Sequence, residues 1–216
     1  MLHWQEIDTV FLDMDGTLLD LHFDKKKKKK NIPLRYAEQH NISIEAARSR
    51  LVPKFREKEG TLDWYCVDYW SRELKLDIIA LKQEINHLIA VHDHVADFLV
   101  RLRETGKRVV LLTNAHNRTV DLKMEITGIE HAFDALICSH DVGFPKEDLN
   151  FWGALTGHET FDRDSTLFID DSLPVLHAAR EYGIRHILAV RKPDSRSPSR
   201  IIDGFRAIDG FDEIMP

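Results

Sequence analysis

Val10-Phe11-Leu12-Asp13-Met14-Asp15-Gly16-Thr17 is an apolar segment of strand length that ends in two carboxylates one residue apart. Burying an unpaired charge is prohibitive, so two acids at the end of a buried strand imply a metal, a proton or a ligand that satisfies them. Side chains alternate between faces along an extended chain, which sends Asp13 and Asp15 apart. They share one site only where the strand stops between them and the chain turns. Gly16 supplies the freedom to turn, and its missing side chain lets a ligand approach the backbone.

Further along, short apolar runs recur: Arg108 to Thr113, Ala135 to Cys138, Thr166 to Asp170 and His186 to Val190. With a first strand over about Thr9 to Asp13, they read as strands of a parallel sheet covered on both faces, because they are continuous rather than alternating. Helical stripes separate them. Val95, Phe98, Leu99 and Leu102 form one, with Asp93 as the expected N-cap and Gly106 ending it. Phe151, Trp152 and Leu155 form another, and Ser172 to Tyr182, closed by Gly183, a third. Alternating strand and helix give an α/β, doubly wound, mostly parallel sheet.

Strands one and two are separated by far more chain than a crossover needs, so an insertion lies between them. It reads as helical. Ile44, Ala47, Leu51 and Phe55 mark one stripe, in which Pro53 is expected to kink or end the helix. Thr61 is the expected cap of a helix from Leu62 to Leu74, and Asp77 of one carrying Ile78, Leu81, Ile85 and Leu88. The expected division is a core of residues 1–20 and 90–216 and an α-helical cap of residues 21–89. Lys25 to Lys30 is a run of six like charges that favours a solvated segment. Lys192 to Ser199 reads as a loop, with Arg196 and Arg200 as surface arginines.

The 216 residues are 43% hydrophobic and carry a net charge of −6. That suffices for one sizeable domain with an insertion, and it lacks the basic footprint of nucleic-acid binders. Cys66 and Cys138 are far apart with no CxxC, so no zinc site or disulfide framework is implied. No apolar run approaches membrane-spanning length and Met1-Leu2-His3-Trp4-Gln5-Glu6 is no signal peptide, so a cytoplasmic protein without a membrane partner is expected.

In open α/β sheets, ligands bind beyond the carboxyl ends of the strands. Asp13 and Asp15, Thr113-Asn114, Lys146 and Asp170-Asp171-Ser172 all fall there or in the adjoining loops, and the set fits phosphoryl transfer. Asp13 has the chemistry of a carboxylate nucleophile. Asp15 is placed to protonate the leaving oxygen and later to deprotonate water. Asp13, Asp15 and Asp170 are too many acids for an anionic substrate unless a hard cation such as Mg²⁺ offsets them. Thr113 offers a hydroxyl, Asn114 a backbone N–H and Lys146 a compact positive charge to the phosphate. Each residue alone has a plainer role at a cap, a turn or the solvent surface. Together, in this order, they make an active site.

These residues resemble the haloacid dehalogenase superfamily of phosphohydrolases. Asp13-Met14-Asp15-Gly16-Thr17 matches its first motif, Leu112-Thr113-Asn114 its second, Lys146 its third and Phe168-Ile169-Asp170-Asp171 its fourth. The resemblance implies Asp13 as nucleophile and Asp15 as acid and base. It also implies Mg²⁺ bound by Asp13, the backbone carbonyl of Asp15 and Asp170, with Asp171 supporting it. An acid two positions after the nucleophile marks the superfamily's phosphatases and mutases. Leu18 to Asp24, Asp63 to Trp70, Thr113-Asn114-Ala115-His116 and Pro145-Lys146-Glu147-Asp148 are similar to the bacterial GMP/IMP 5′-nucleotidases of the superfamily. That implies a purine mononucleotide substrate and no nucleic-acid polymer. After Asp24 those relatives carry mixed aromatic and apolar residues in place of the lysine run. The alternatives are a sugar-phosphate phosphatase or phosphomutase and, from another class, a ligand-binding module without activity.

Trp64, Tyr65, Tyr69 and Trp70 read first as packing of the cap, and second as the source of one ring that stacks on a purine, with Asp68 or Arg72 reading its edge. His92-Asp93-His94 looks like a metal string but has no third ligand at useful spacing, and is not expected to bind one.

Overall fold

The computed structural model describes residues 2–26 and 31–216, and side chains in all of these except Lys25 and Lys26; Lys27 to Lys30, and with them most of the lysine run, lie outside the described residues. The sheet is built from β1 (Thr9–Leu12), β2 (Arg108–Thr113), β3 (Ala135–Cys138), β4 (Thr166–Asp170), β5 (His186–Val190) and β6 (Ala207–Ile208). Their order is β3-β2-β1-β4-β5-β6, and every neighbouring pair is parallel. The doubly wound α/β expectation therefore holds. β6, two residues long, is the strand that the apolar pattern does not reveal.

The continuous apolar runs work as period-two strands with two buried faces. Val10, Leu12, Val109, Leu111, Leu167 and Ile169 face one core, with Phe98 and Leu102 of α7 (Val95–Glu104) and Val120 of α8 (Asn117–Thr127). Phe11, Val110, Leu112 and Phe168 face the other, with Phe151 and Trp152 of α10 (Leu149–Leu155) and Leu176 of α11 (Leu173–Tyr182). A one-turn α9 (Ser139–Val142) follows β3.

Between β1 and β2 lie α1 (His22–Lys26), α2 (Ile32–His40), α3 (Ile44–Lys58), α4 (Leu62–Tyr65), α5 (Val67–Leu74) and α6 (Ile78–Gln83). They form the helical insert. It has its own core of Ile32, Ala47, Leu51, Val67, Trp70, Leu74 and Leu81, whereas Phe23 of α1 packs with the sheet.

Three capping expectations resolve differently. Asp77 accepts from Ala80 N at 3.0 Å and caps α6 as expected. Asp93 does not cap α7; His94, at φ 63°, holds that position without a side-chain bond. Thr61 makes no cap bond either, because its hydroxyl donates to Lys58 O at 2.7 Å. The helix expected from Leu62 to Leu74 breaks at Cys66, whose backbone is extended and whose sulfur accepts from Tyr69 N, so Cys66 caps α5. Pro53 sits inside α3 without ending it. α6 also stops at Gln83, and Leu88 belongs to a separate 3₁₀ turn.

Order reversal in the sheet falls between β1 and β4, which run outward to opposite edges. A crevice opens at such a reversal, beyond the strands' carboxyl ends. β1 hands the chain to Asp13 there, and β4 ends in Asp170.

Candidate active site

β1 stops at Leu12 and the chain turns at once. Gly16 N donates to Leu19 O at 2.7 Å, and Leu18 N and Leu19 N both donate to Met14 O, at 3.0 and 2.8 Å. Gly16 takes φ +93°, and a Cβ there would lie 2.8 Å from Cγ of Asp171. Glycine is required twice, by the backbone and by the neighbouring carboxylate.

With the strand stopped at Leu12 and the chain turned, Asp13 and Asp15 both line the crevice. Asp13, 6% exposed, points into the crevice, and Lys146 Nζ donates to its Oδ1 at 2.6 Å. The same ammonium donates to Asp170 Oδ2 at 2.8 Å and to Leu112 O at 2.9 Å. Lys146 is itself 1% exposed, and its two carboxylates hold its pKa above the usual lysine value against the burial that would lower it. Burial pushes the Asp13 carboxyl up to about 6; Asp170 adds to this while Lys146 opposes it. Asp170 uses its second oxygen to accept from Ser172 N at 2.7 Å, so it also fastens the start of α11.

Asp13, Asp170 and Asp171 offer carboxylate oxygens that all lie within 4.8 Å of one another. Burial, then the charges of Asp170 and Asp13, raise the Asp171 carboxyl well above its ordinary value. Three hard oxygen donors crowded to the point of mutual discomfort, with one ammonium between two of them, fit a hard divalent cation. Among the described residues no such group forms at His92-Asp93-His94.

The phosphate-side expectations also meet here. Thr113 is 1% exposed at the end of β2, and its Oγ1 accepts from Ala115 N at 3.0 Å. Asn114 reaches the third motif through its side chain: Oδ1 accepts from Lys146 N at 2.8 Å and Nδ2 donates to Glu147 Oε2 at 2.7 Å. That pair of bonds fixes the loop that aims Lys146. Tyr65 of the insert donates to Glu147 Oε1 at 2.8 Å, which joins the insert to the same loop.

A cleft of about 200 Å³ is lined on the sheet side by Asp13, Asp15, Thr113, Asn114, Lys146, Asp170 and Asp171 and on the insert side by Phe55, Trp64, Tyr65, Val67 and Trp70. Trp70 Nε1 donates to Trp64 O at 3.0 Å, and the Phe55 and Trp70 rings meet edge-on at 4.9 Å. The aromatic string is therefore both packing and wall. Asp68 and Arg72 do not line the cleft; Asp68 pairs instead with Arg118 at 2.8 Å and lies 3.6 Å from His116.

Three residues of this neighbourhood escape the sequence reading. Lys123 of α8, 1% exposed, pairs with Asp15 and lies 2.6 Å from Asp24. Its signal is position: a lysine three residues after Val120 and one before Met124, on the buried stripe of its helix. Glu147 is legible only as the residue after Lys146. Arg200 is no plain surface arginine; it donates to Asp171 O at 2.7 Å and Val190 O at 2.9 Å, pinning the ends of β4 and β5.

Comparison with known proteins agrees with this geometry. Residues 7–183 match the haloacid dehalogenase-like hydrolase family. The chain is 37% identical over 213 residues to the GMP/IMP nucleotidase YrfG of Escherichia coli (strain K12), covering 99% of this chain and 96% of that protein. Among solved structures it resembles a HAD phosphatase from Thermococcus onnurineus, with a TM-score of 0.82 at 20% identity and 96% of each chain covered. It also resembles the putative HAD-hydrolase YfnB from Bacillus subtilis bound to magnesium, with a TM-score of 0.63 at 21% identity and 96% of each chain covered. At those identities the two structures bear on the fold alone. Among the described residues, no helix is long and apolar enough to cross a membrane.

Proposed function

Because this chain belongs to the haloacid dehalogenase-like hydrolases, we propose that its phosphatase chemistry is Mg²⁺-dependent hydrolysis of the purine nucleoside 5′-monophosphates GMP and IMP, by two displacements through a phosphorylated Asp13. The observation that carries the chemistry is the buried set Asp13, Lys146 and Asp170, joined at 2.6 and 2.8 Å where the sheet order reverses. The substrate class rests on the full-length relationship to a GMP/IMP nucleotidase.

Asp13 attacks phosphorus through the oxygen that Lys146 does not hold, and the P–O bond to the nucleoside breaks. Lys146 offsets the charge of Asp13 in the resting site and that of the phosphoryl oxygens in the transition state. Thr113, the backbone N–H of Asn114 and the open approach at Gly16 receive the phosphate. Asp15 gives its proton to the departing 5′-oxygen, then takes one from the water that cleaves the acyl phosphate. Asp13, the backbone carbonyl of Asp15 and Asp170 would hold Mg²⁺, with Asp171 beside them. When bound, the ion neutralises phosphoryl charge and aligns the ester with Asp13. Residues 21–89 serve as the cap over a core of 1–20 and 90–216, and its aromatic wall supplies the purine contact and excludes water.

A screen of mononucleotides and sugar phosphates, with and without Mg²⁺, tests this reading. Phosphate release is expected fastest from GMP and IMP, only with the ion, and not from Asp13→Asn. Faster release from sugar phosphates would discard the purine assignment, and an active Asp13→Asn would discard the nucleophile.

A further inference from the structure

Asp15, the proton donor in the reading above, does not hang free at the cleft. Lys123 Nζ donates to its Oδ1, and to Asp24 Oδ2 at 2.6 Å. Lys82, arriving from α6 of the insert and 3% exposed, lies 3.7 Å from the other oxygen of Asp24. Both ammonium groups stand over the ring of Phe23, at 5.1 and 5.7 Å, and Phe23 is 1% exposed in the sheet-side core. Asp15, Lys123, Asp24 and Lys82 thus alternate in charge across the seam between α8, the first motif and the insert.

Packing alone does not call for such a chain. Buried ion pairs are weak stabilisers, and well-packed apolar side chains in place of the whole set would serve a core at least as well. What an ammonium adds is direction. The Asp15 carboxyl sits on the turn just before Gly16, where it has the rotamers of a loop residue, and proton delivery demands a fixed approach to the leaving oxygen. A donor on the rigid frame of α8 restricts those rotamers, and the second carboxylate keeps the donor in place.

We propose that Lys123 is a positioning residue for the Asp15 carboxyl, held by Asp24 at the seam with the insert, and that it governs proton delivery to poor leaving groups. The proposal rests on the reading of Asp15 as the acid. It predicts a signature that a merely structural lysine lacks. Esters with alkoxide leaving groups need the proton, and an activated aryl phosphate does not.

The experiment measures kcat/KM with Mg²⁺ for GMP, ribose 5-phosphate and p-nitrophenyl phosphate in wild type, Lys123→Met, Lys123→Arg and Asp24→Asn. kcat/KM reports the steps through phosphorylation of Asp13, before the second displacement. The alkyl-to-aryl ratio is expected to fall on the order of tenfold or more in Lys123→Met, to recover in part in Lys123→Arg, and to fall by a few-fold in Asp24→Asn. A proportional loss on all three esters, or an unchanged ratio, overturns the proposal. Aryl phosphate turnover reports whether each variant is folded; if Lys123→Met is not, the other two variants carry the same ratio test. Ribose 5-phosphate keeps the comparison intact should GMP prove a poor substrate. An Asp15→Asn variant with an unchanged ratio removes the acid assignment, and this inference with it.

Discussion

Replacing Lys146 by methionine keeps the volume of the side chain and removes its charge. Wild-type Lys146 holds Asp13 at 2.6 Å, Asp170 at 2.8 Å and Leu112 O at 2.9 Å, all inside the core. Taking one partner from a buried pair costs about 3–5 kcal/mol, because the other charge stays buried. Asp13 limits the loss. Its carboxyl already stands near 6, so at about pH 7 it takes up a proton for at most about 1.4 kcal/mol. The low end, about 3 kcal/mol, is therefore expected. In a chain of this size that lowers the melting temperature by about 6–12 °C. The deficit shrinks on acidification, since near pH 5 the Asp13 carboxyl is mostly protonated and needs its ammonium less. Added Mg²⁺ should restore part of it. Scanning calorimetry of the metal-free chains at about pH 5 and about pH 7.5, with and without Mg²⁺, measures every term. A variant that melts within about 2 °C of wild type at the higher pH, or one whose deficit grows in acid, would refute the reasoning.

Gly16→Ala forces a side chain into φ +93° and to within 2.8 Å of the Asp171 carboxyl; the strain and the displaced acid together are expected to cost about 2–3 kcal/mol and to weaken Mg²⁺ binding, both measurable by thermal melts with and without the ion. Asp13 gives the site a pH signature. Its native value, near 6, lies above the ordinary 3.8, so in the metal-free chain its contribution to stability is complete below the ordinary value and lost as pH rises through about 6. Mg²⁺ needs the ionised form, so its apparent affinity should fall by about tenfold per pH unit below about 6, with proton release on binding; calorimetric titrations in buffers of differing ionisation enthalpy check this, and a pH-independent affinity would contradict it. Asp68→Ala removes a seam pair whose side chains are 44% and 54% exposed, and it should shift stability by less than about 1 kcal/mol in a melt, in contrast to Lys146→Met.

How the fold becomes legible depends on which forces write themselves into local sequence. β1, β2 and β4 are buried on both faces, so they stand out as apolar runs, and the parallel order then places Asp13, Thr113, Lys146 and Asp170 at one edge. β6 is invisible because two residues carry no pattern. The break at Cys66 is hidden for another reason: Leu62 to Leu74 holds a helical period throughout, and the capping sulfur and the Trp70 bond to Trp64 O are local bonds that a period does not register. Lys123 is hidden by tertiary structure. A lysine on a helix stripe ordinarily snorkels to water, and only the approach of Asp15 and Asp24, both some hundred residues away in the chain, makes it a buried partner. Asp68 shows the converse: it was legible as a polar residue beside aromatics, but α8 rather than the cleft claims it.

The central claim is covalent phosphorylation of Asp13. In Asp15→Asn, an activated aryl phosphate still drives the first displacement, which needs no acid, while the second loses its base. Mass spectrometry of that variant, acid-quenched during turnover with Mg²⁺, is predicted to find the chain heavier by one phosphoryl group, on the peptide that holds Asp13. Turnover with no such adduct, or an adduct on any other residue, would contradict the account.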